Sequence, residues 1–400
     1  MERFEVVNFS QTEIPELTAF SREEAEKTRA FHTGFAQYRP TPLTPLPRLA
    51  QVLGVEKILI KDESFRFGLN AFKVLGGSYA IGRYIARRLG EDIADLPAER
   101  ILSDEVRQKL GEITFVTATD GNHGRGVAWT ANQLGQKSVV YMPKGSAAER
   151  LENIRAAGAD ASITEFNYDD TVRLAKRHAE EYGWVTVQDT AWEGYTDIPL
   201  WIMQGYMTMG AEILEQLEAM GEEKPTHVFL QSGVGSMAGA MAGFFASCYG
   251  AERPFIAVVE PNKADCVFRT AKANDGTIHC VKGDMNTIMA GLACGEPCTI
   301  AWDVLRGCAD AFISCPDYAA ADGMRILAAP VPGDPAIVSG ESGASAFGCI
   351  ADILRDEKLE DLRRQLRLDE NSRLLFISTE GDTDRENYRR IVWGGAYSGL

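Results

Sequence analysis

Apolar positions recur along this chain with two periods, and the switching between them predicts its architecture. Short, β-rich apolar runs occupy 56–61, 113–118, 138–142, 161–164, 185–188, 227–230, 255–259, 311–314 and 374–378. Between them, longer segments with helical patterning predict helices over 21–38, 77–89, 124–134, 147–157, 170–181, 200–220, 237–247, 302–306, 317–327 and 342–354. Alternation of this kind predicts parallel sheets covered by helices. The units are too many for one small sheet, so two α/β domains are expected. Two stretches break the pattern. The proline-rich run Pro40–Pro47 must be extended, because proline fixes its own φ and turns its predecessor away from helix. The mixed-charge run 99–112 is expected to be a solvated surface connection.

Charge narrows the class. With 41 basic and 57 acidic residues the formal net charge is −16. Such a chain repels nucleic acid and anionic membrane surfaces, so neither is an expected partner. No apolar run is long enough to span a bilayer. The opening Met-Glu-Arg-Phe-Glu-Val-Val lacks the basic-then-apolar order of a signal peptide, and a cytoplasmic location is expected. The eight cysteines include no Cys-x-x-Cys pair and the five histidines do not cluster with them, so no metal site is expected.

Four stretches can carry chemistry. The first holds Lys73 between apolar and aromatic neighbours, just before a predicted helix. Partial desolvation would favour its neutral amine, a nucleophile for aldehydes. In the second, an apolar strand runs into Gly233-Val234-Gly235-Ser236-Met237 and then a helix. A glycine turn at a helix start offers free N–H groups to an anion. On this stretch alone three readings stand: a Gly-x-Gly-x-x-Ala dinucleotide loop with Glu260 as the ribose acid, a single-phosphate cradle, or a tight turn. The third, Thr119-Asp120-Gly121-Asn122-His123-Gly124, also follows a strand and crowds four functional side chains where a plain turn needs only glycines. Asp189 and Tyr195, and then Thr379, Asp382 and Asp384, follow two further strands; ligands of open α/β sheets bind at such carboxyl ends. Lys73, a phosphate cradle, an asparagine-bearing anion loop and the Thr379 hydroxyl form a set that pyridoxal phosphate, an aldehyde with a phosphate arm, would use.

With these motifs the chain resembles the fold-type II pyridoxal-phosphate enzymes, the group of threonine dehydratase and tryptophan synthase β. Thr41-Pro-Leu43, Lys61-Asp-Glu63, Phe72-Lys73, Gly121-Asn122-His123, Gly233-Val-Gly235 and Ser342-Gly343-Ala344 stand in the family's order, over nearly the whole chain. The segments 66–73, 119–126, 188–195 and 378–384 resemble those of its ammonia-lyases that act on 2,3-diaminopropionate. The resemblance implies a homodimer. It also implies a large domain of residues 1–84 and 206–400, with a small α/β domain, 85–205, inserted and the active site between them. It implies that Lys73, beside Phe72, attaches the cofactor and that Asn122 meets its 3-hydroxyl oxygen. Residues 233–237 would hold the phosphate by backbone N–H groups, and Thr379 would meet the pyridine nitrogen. Thr119, Asp120, Gly121, His123, Asp189 and Tyr195 would surround an amino-acid substrate.

The chain departs from the wider family at Asp120, where dehydratases commonly carry serine. A carboxylate facing the substrate carboxylate costs energy unless a cation lies between them, and a second substrate amine supplies that cation. Asp120 and Asp189 would then flank a 2,3-diamino acid, each able to take the Cα proton of one enantiomer. The expected reaction is elimination to pyruvate and two ammonia by way of an aminoacrylate. A serine or threonine dehydratase with the same cofactor is the alternative. A nicotinamide-dependent dehydrogenase ranks below, because it leaves Lys73 and Asn122 without a task. A mere pyridoxal-phosphate carrier would need no acid–base pair.

Overall fold

The computed structural model describes residues 3–10, 15–119 and 121–399, so Asp120 lies outside the described residues. The strands in chain order are β1 (Glu5–Asn8), β2 (Leu43–Pro45), β3 (Lys57–Asp62), β4 (Thr114–Ala118), β5 (Lys137–Met142), β6 (Asp160–Ile163), β7 (Val185–Thr186), β8 (His227–Gln231), β9 (Phe255–Pro261), β10 (Ala311–Cys315) and β11 (Arg373–Ser378). They form a seven-stranded sheet in the order β1-β10-β9-β8-β11-β3-β2 and a four-stranded sheet in the order β6-β5-β4-β7. The five central strands of the larger sheet are parallel, and only its edges, β1 and β2, run antiparallel. All four strands of the smaller sheet are parallel.

Sequence explains this division of labour. Every residue of β8 and of β10 is buried, as expected for strands covered by helices on both faces. Their side chains split between two cores: Val228, Leu230 and Phe312 belong to the core that also takes in the helix Asp197–Met220, while Phe229 and Ile313 belong to the one that takes in Glu341–Arg355. The helix Ser236–Tyr249 is rich in alanine and glycine, which lets it lie close against its neighbours; a Cβ at Gly239 would stand 3.1 Å from Met203 Cε.

The predicted elements are all present, with shifted ends. The helix expected from Gly77 begins at Val74, so Lys73 is its cap residue. The helix expected to reach Tyr38 stops at Thr33, ahead of Gly34. The strand expected to reach Gln188 pairs only over β7, because the Gln188 N–H turns away to the Tyr195 hydroxyl at 2.8 Å. The stretch 99–112 is corrected outright. It contains the helices Ala98–Ile101 and Asp104–Leu110, which bury Ala98, Ile101, Val106 and Leu110. Its charges masked a sparse apolar stripe at helical spacing. The edge strands β1 and β2, and the helices Pro47–Leu53 and Cys266–Ala273, were not expected; they are short segments with weak local patterning.

Candidate active site

Five chain segments leave the carboxyl ends of β3, β4, β7, β8 and β11 and converge on one cavity. Lys73, Asn122, Asp189, Gly233, Thr379 and Glu380 are among its walls. A larger cleft shares Lys73, Gly291 and Cys294 with it and leads outward past Tyr168 and Glu341.

Lys73 arrives on a segment with two residues in the left-handed region, Phe67 at φ 51° and Asn70 at φ 57°. Such conformations persist in non-glycine residues only where the surroundings impose them. Here Phe67 is buried against Phe35 and Trp129. Arg66 is fully buried between Glu63 and Glu212, bonded to Glu63 at 2.8 Å and to Glu212 at 2.7 and 2.8 Å. Lys61 donates to the same Glu212 at 2.6 Å. Beyond Asn70 the segment is laced to the end of β11: Gly381 N–H meets Asn70 O at 3.1 Å, and Phe72 N–H meets Thr379 O at 3.1 Å. The Phe72 ring packs on Tyr206 with centroids 4.8 Å apart. The lysine is thus placed by the fold and not by its own flexible stem.

Lys73 Nζ lies 3.0 Å from Asp189 Oδ2. Burial opposes ionisation of Asp189, but the Lys73 charge, then His123 and the hydrogen bonds from Lys73 and Tyr168, outweigh it and hold the carboxyl well below the usual carboxylate range. Across the cavity, Gly235 takes φ 100° at the start of the helix Ser236–Tyr249. A Cβ on Gly233 would meet Cys294 Sγ and Gly291 O at 3.2 Å. The glycines therefore keep a concave backbone open at a helix N-terminus. At the end of β11, the Thr379 hydroxyl accepts from Gln231 Nε2 at 3.0 Å. That leaves the hydroxyl hydrogen for another acceptor. Gln231 Oε1 is itself buried with no partner among the described residues.

The other expected site residues divide. Asn122 opens the helix Asn122–Gln133 and faces the cavity. Thr119, Gly121, His123 and Tyr195 stand behind its wall and support the loops. Thr119 Oγ1 takes the N–H groups of Gly121 and Gly124 at 3.0 and 3.2 Å. His123 Nε2 meets Val187 O at 2.7 Å. The Tyr195 hydroxyl gives to Thr186 O at 3.1 Å. Asp382, which a cation reading would use, accepts from Asn70 Nδ2 at 3.1 Å, and no group of metal-ligating side chains occurs among the described residues. Glu260 is not a ribose acid. It caps the helix Cys266–Ala273, taking the N–H groups of Val267 and Phe268 at 3.1 and 2.5 Å.

Among the lining residues that sequence reasoning missed are two buried glutamates, Glu380 in the cavity wall and Glu341 in the outer cleft. Glu380 is buried beside Thr379 and accepts from Asn122 Nδ2 at 2.5 Å, from Thr383 Oγ1 at 3.1 Å and from Ser342 N–H at 3.2 Å. Glu341 is buried at the rim; burial, and then the Glu380 charge, push its carboxyl up to about 7. An acidic residue next to a strand end was the available signal for Glu380; nothing local marked Glu341.

Residues 35–379 match the family described as pyridoxal-phosphate dependent enzyme. The diaminopropionate ammonia-lyase of Escherichia coli (strain K12) is 52% identical over 380 residues, 95% of this chain and 94% of that protein. A crystal structure of the Escherichia coli enzyme in complex with D-serine superposes with a TM-score of 0.92 at 48% identity, covering 99% of this chain and 98% of that one. A second, in complex with an aminoacrylate-PLP azomethine reaction intermediate, gives 0.90 at 48% identity, covering 100% and 99%.

Proposed function

The chain belongs to the family of pyridoxal-phosphate-dependent enzymes, and on that premise we propose that it eliminates ammonia from 2,3-diaminopropionate. It is a carbon–nitrogen lyase; with one water, the diamino acid becomes pyruvate and two molecules of ammonia. The observation that carries the reading is the 3.0 Å contact between Lys73 Nζ and Asp189 Oδ2, an amine and an ionised base side by side in one cavity.

The residues present fit the cofactor. The backbone turn at residues 233–237, kept open by two glycines, suits a phosphate, and the Thr379 hydroxyl hydrogen suits a ring nitrogen. Lys73 would attach it, with Phe72 packed alongside, and Asn122 would meet its phenolic oxygen. When bound, pyridoxal phosphate supplies an electron sink for the charge left at the substrate Cα. The protein supplies the rest. Lys73 yields its place to the substrate's α-amine. Asp189 accepts the Cα proton of one enantiomer. Asp120 is assigned the other on its sequence position and on the charge argument for a diamine. Lys73 Nζ, one hydrogen-bond length from Asp189 Oδ2, is placed to hand a proton to the departing β-nitrogen. Thr379 would donate a hydrogen bond to the ring nitrogen without protonating it. That keeps electron withdrawal moderate and suits rapid loss of the β-group.

On the same reading, and as the family resemblance implies, the enzyme is a cytoplasmic homodimer; its acidity sets it apart from nucleic-acid and membrane partners. No helix among the described residues is long and apolar enough to cross a membrane. It also keeps residues 85–205 as a small domain inserted in a large one of 1–84 and 206–400.

Purified enzyme should show the violet-edge absorbance of a lysine-bound pyridoxal. Borohydride should abolish that band and label Lys73. Pyruvate should form far faster from 2,3-diaminopropionate than from serine, whose D form the Escherichia coli relative binds in a crystal. Equal rates on both substrates would overturn the diamine assignment in favour of a dehydratase.

A further inference from the structure

The two carboxylate oxygens of Asp189 are held in different ways. Oδ2 faces Lys73 Nζ. Oδ1 receives the Tyr168 hydroxyl at 3.1 Å and the Gln188 side-chain amide at 3.3 Å. An ionised carboxylate only accepts, so the Tyr168 hydroxyl donates. Its oxygen shares that amide hydrogen with Oδ1, lying 3.0 Å from Gln188 Nε2. Gln188 cannot rotate. Its Oε1 accepts from Thr117 Oγ1 at 3.0 Å and from Ala118 N–H at 2.9 Å, and its Nε2 donates to Ala118 O at 3.0 Å. Oδ1 is therefore referenced to β4 through Gln188 and to the first residue of the helix Tyr168–Tyr182 through Tyr168.

Lys73 cannot be a constant partner for Asp189. Its amine must attach the cofactor, give way to the substrate amine and then return. Each change alters the bond at Oδ2, the oxygen left to receive a proton. A buried carboxylate that loses a donor drifts toward its protonated form, and a protonated carboxyl is no base. Among the described residues, the other titratable groups facing Asp189 include His123, Tyr195 and Cys298. Burial pushes the Tyr195 phenol and the Cys298 thiol up, so both stay neutral near pH 7. Tyr168 is different in kind. It brings a neutral donor to Oδ1, which steadies the anion without a second positive charge to blunt its basicity.

We propose that Tyr168 is the positioning residue for Asp189, its hydroxyl fixing that carboxylate in place while Lys73 exchanges partners during the elimination. This rests on the reading of Asp189 as a base. The role is invisible in sequence, because Tyr168 precedes Asp189 by a whole helix and meets it only through the fold.

The test compares holoenzyme Tyr168→Phe and Asp189→Asn with wild type on each enantiomer of 2,3-diaminopropionate. Tyr168→Phe keeps the ring and removes only the donor. It should lower kcat by about tenfold or more on the enantiomer that Asp189→Asn slows and leave the other enantiomer alone. KM should stay within about twofold, since no substrate contact is removed. The acid limb of the kcat profile should move to higher pH. In apoprotein labelled with carbon-13 at aspartate carboxyls, the resonance that Asp189→Asn deletes should titrate at higher pH in Tyr168→Phe than in wild type. Asp189→Asn slowing one enantiomer while Tyr168→Phe keeps wild-type kcat, acid limb and titration overturns the inference. If Asp189→Asn slows neither enantiomer, the base assignment itself falls.

Discussion

The segment that delivers Lys73 is anchored by a charge cluster with no solvent, and removing its centre should cost much of the enzyme's stability. Arg66, Lys61, Glu63 and Glu212 are all buried, two cations against two carboxylates. Arg66 makes the bonds to Glu63 and Glu212 and adds one to Thr41 Oγ1 at 3.1 Å. Burial disfavours a charged Glu212, but Arg66 and then Lys61 pull its carboxyl down to about 2. Arg66→Met keeps the bulk and leaves Lys61 alone with two buried carboxylates. Breaking one partner out of such a cluster costs ~3–5 kcal/mol, roughly two to four powers of ten in the folding equilibrium. Adding Glu212→Leu restores one charge of each sign, so the double variant should be more stable than the sum of the two single losses by at least ~1 kcal/mol. Urea unfolding of the three variants, followed by tryptophan fluorescence, measures both quantities. Arg66→Met should also load pyridoxal phosphate less tightly, because Phe67 and Asn70 keep their left-handed conformations only while the segment is pinned. A loss below ~1 kcal/mol, or strict additivity in the double variant, would refute the view that Arg66 holds the segment.

Two further predictions bear on the cavity. Gly233→Ala should weaken cofactor binding by about tenfold in an absorbance titration of apoprotein, because its Cβ presses on Cys294 Sγ and Gly291 O at 3.2 Å; unchanged affinity would place the phosphate elsewhere. Glu341, raised from 4.5 to about 7 by burial and by Glu380, favours the folded state fully below about pH 4.5, and that contribution fades as pH climbs toward 7. Glu341→Gln does not titrate, so its stability relative to wild type should rise between pH 5 and pH 8, by on the order of 3 kcal/mol at most; a pH-independent difference would remove Glu341 from the account.

Much of this was legible locally. Lys73, Asn122, Gly233 and Thr379 each follow a predicted strand, and a parallel α/β sheet gathers such positions at one edge, so the chain order of motifs was enough to nominate a cavity. What the sequence left open depended on direction more than position. His123 and Tyr195 stand in the expected loops, and their Nε2 and hydroxyl meet the backbone oxygens Val187 O and Thr186 O. Glu260 follows the glycine loop as a ribose acid would, yet it is consumed by two N–H groups of the next helix. Side-chain direction is set by which neighbour offers a partner, and the neighbours come from elsewhere in the chain.

The sequence by itself determined the alternation of strands and helices, the chemistry available at each strand end and the kinship that names the cofactor, because these depend on residue type and on spacing within a few turns. Only the tertiary structure decided that Glu212 closes the charge cluster over Arg66, that Glu380 meets Asn122, and that Tyr168 stands on Asp189. Each of these pairs joins residues from different elements. A buried carboxylate takes its partner from whatever the packing brings within 3 Å or so, and no local pattern records that.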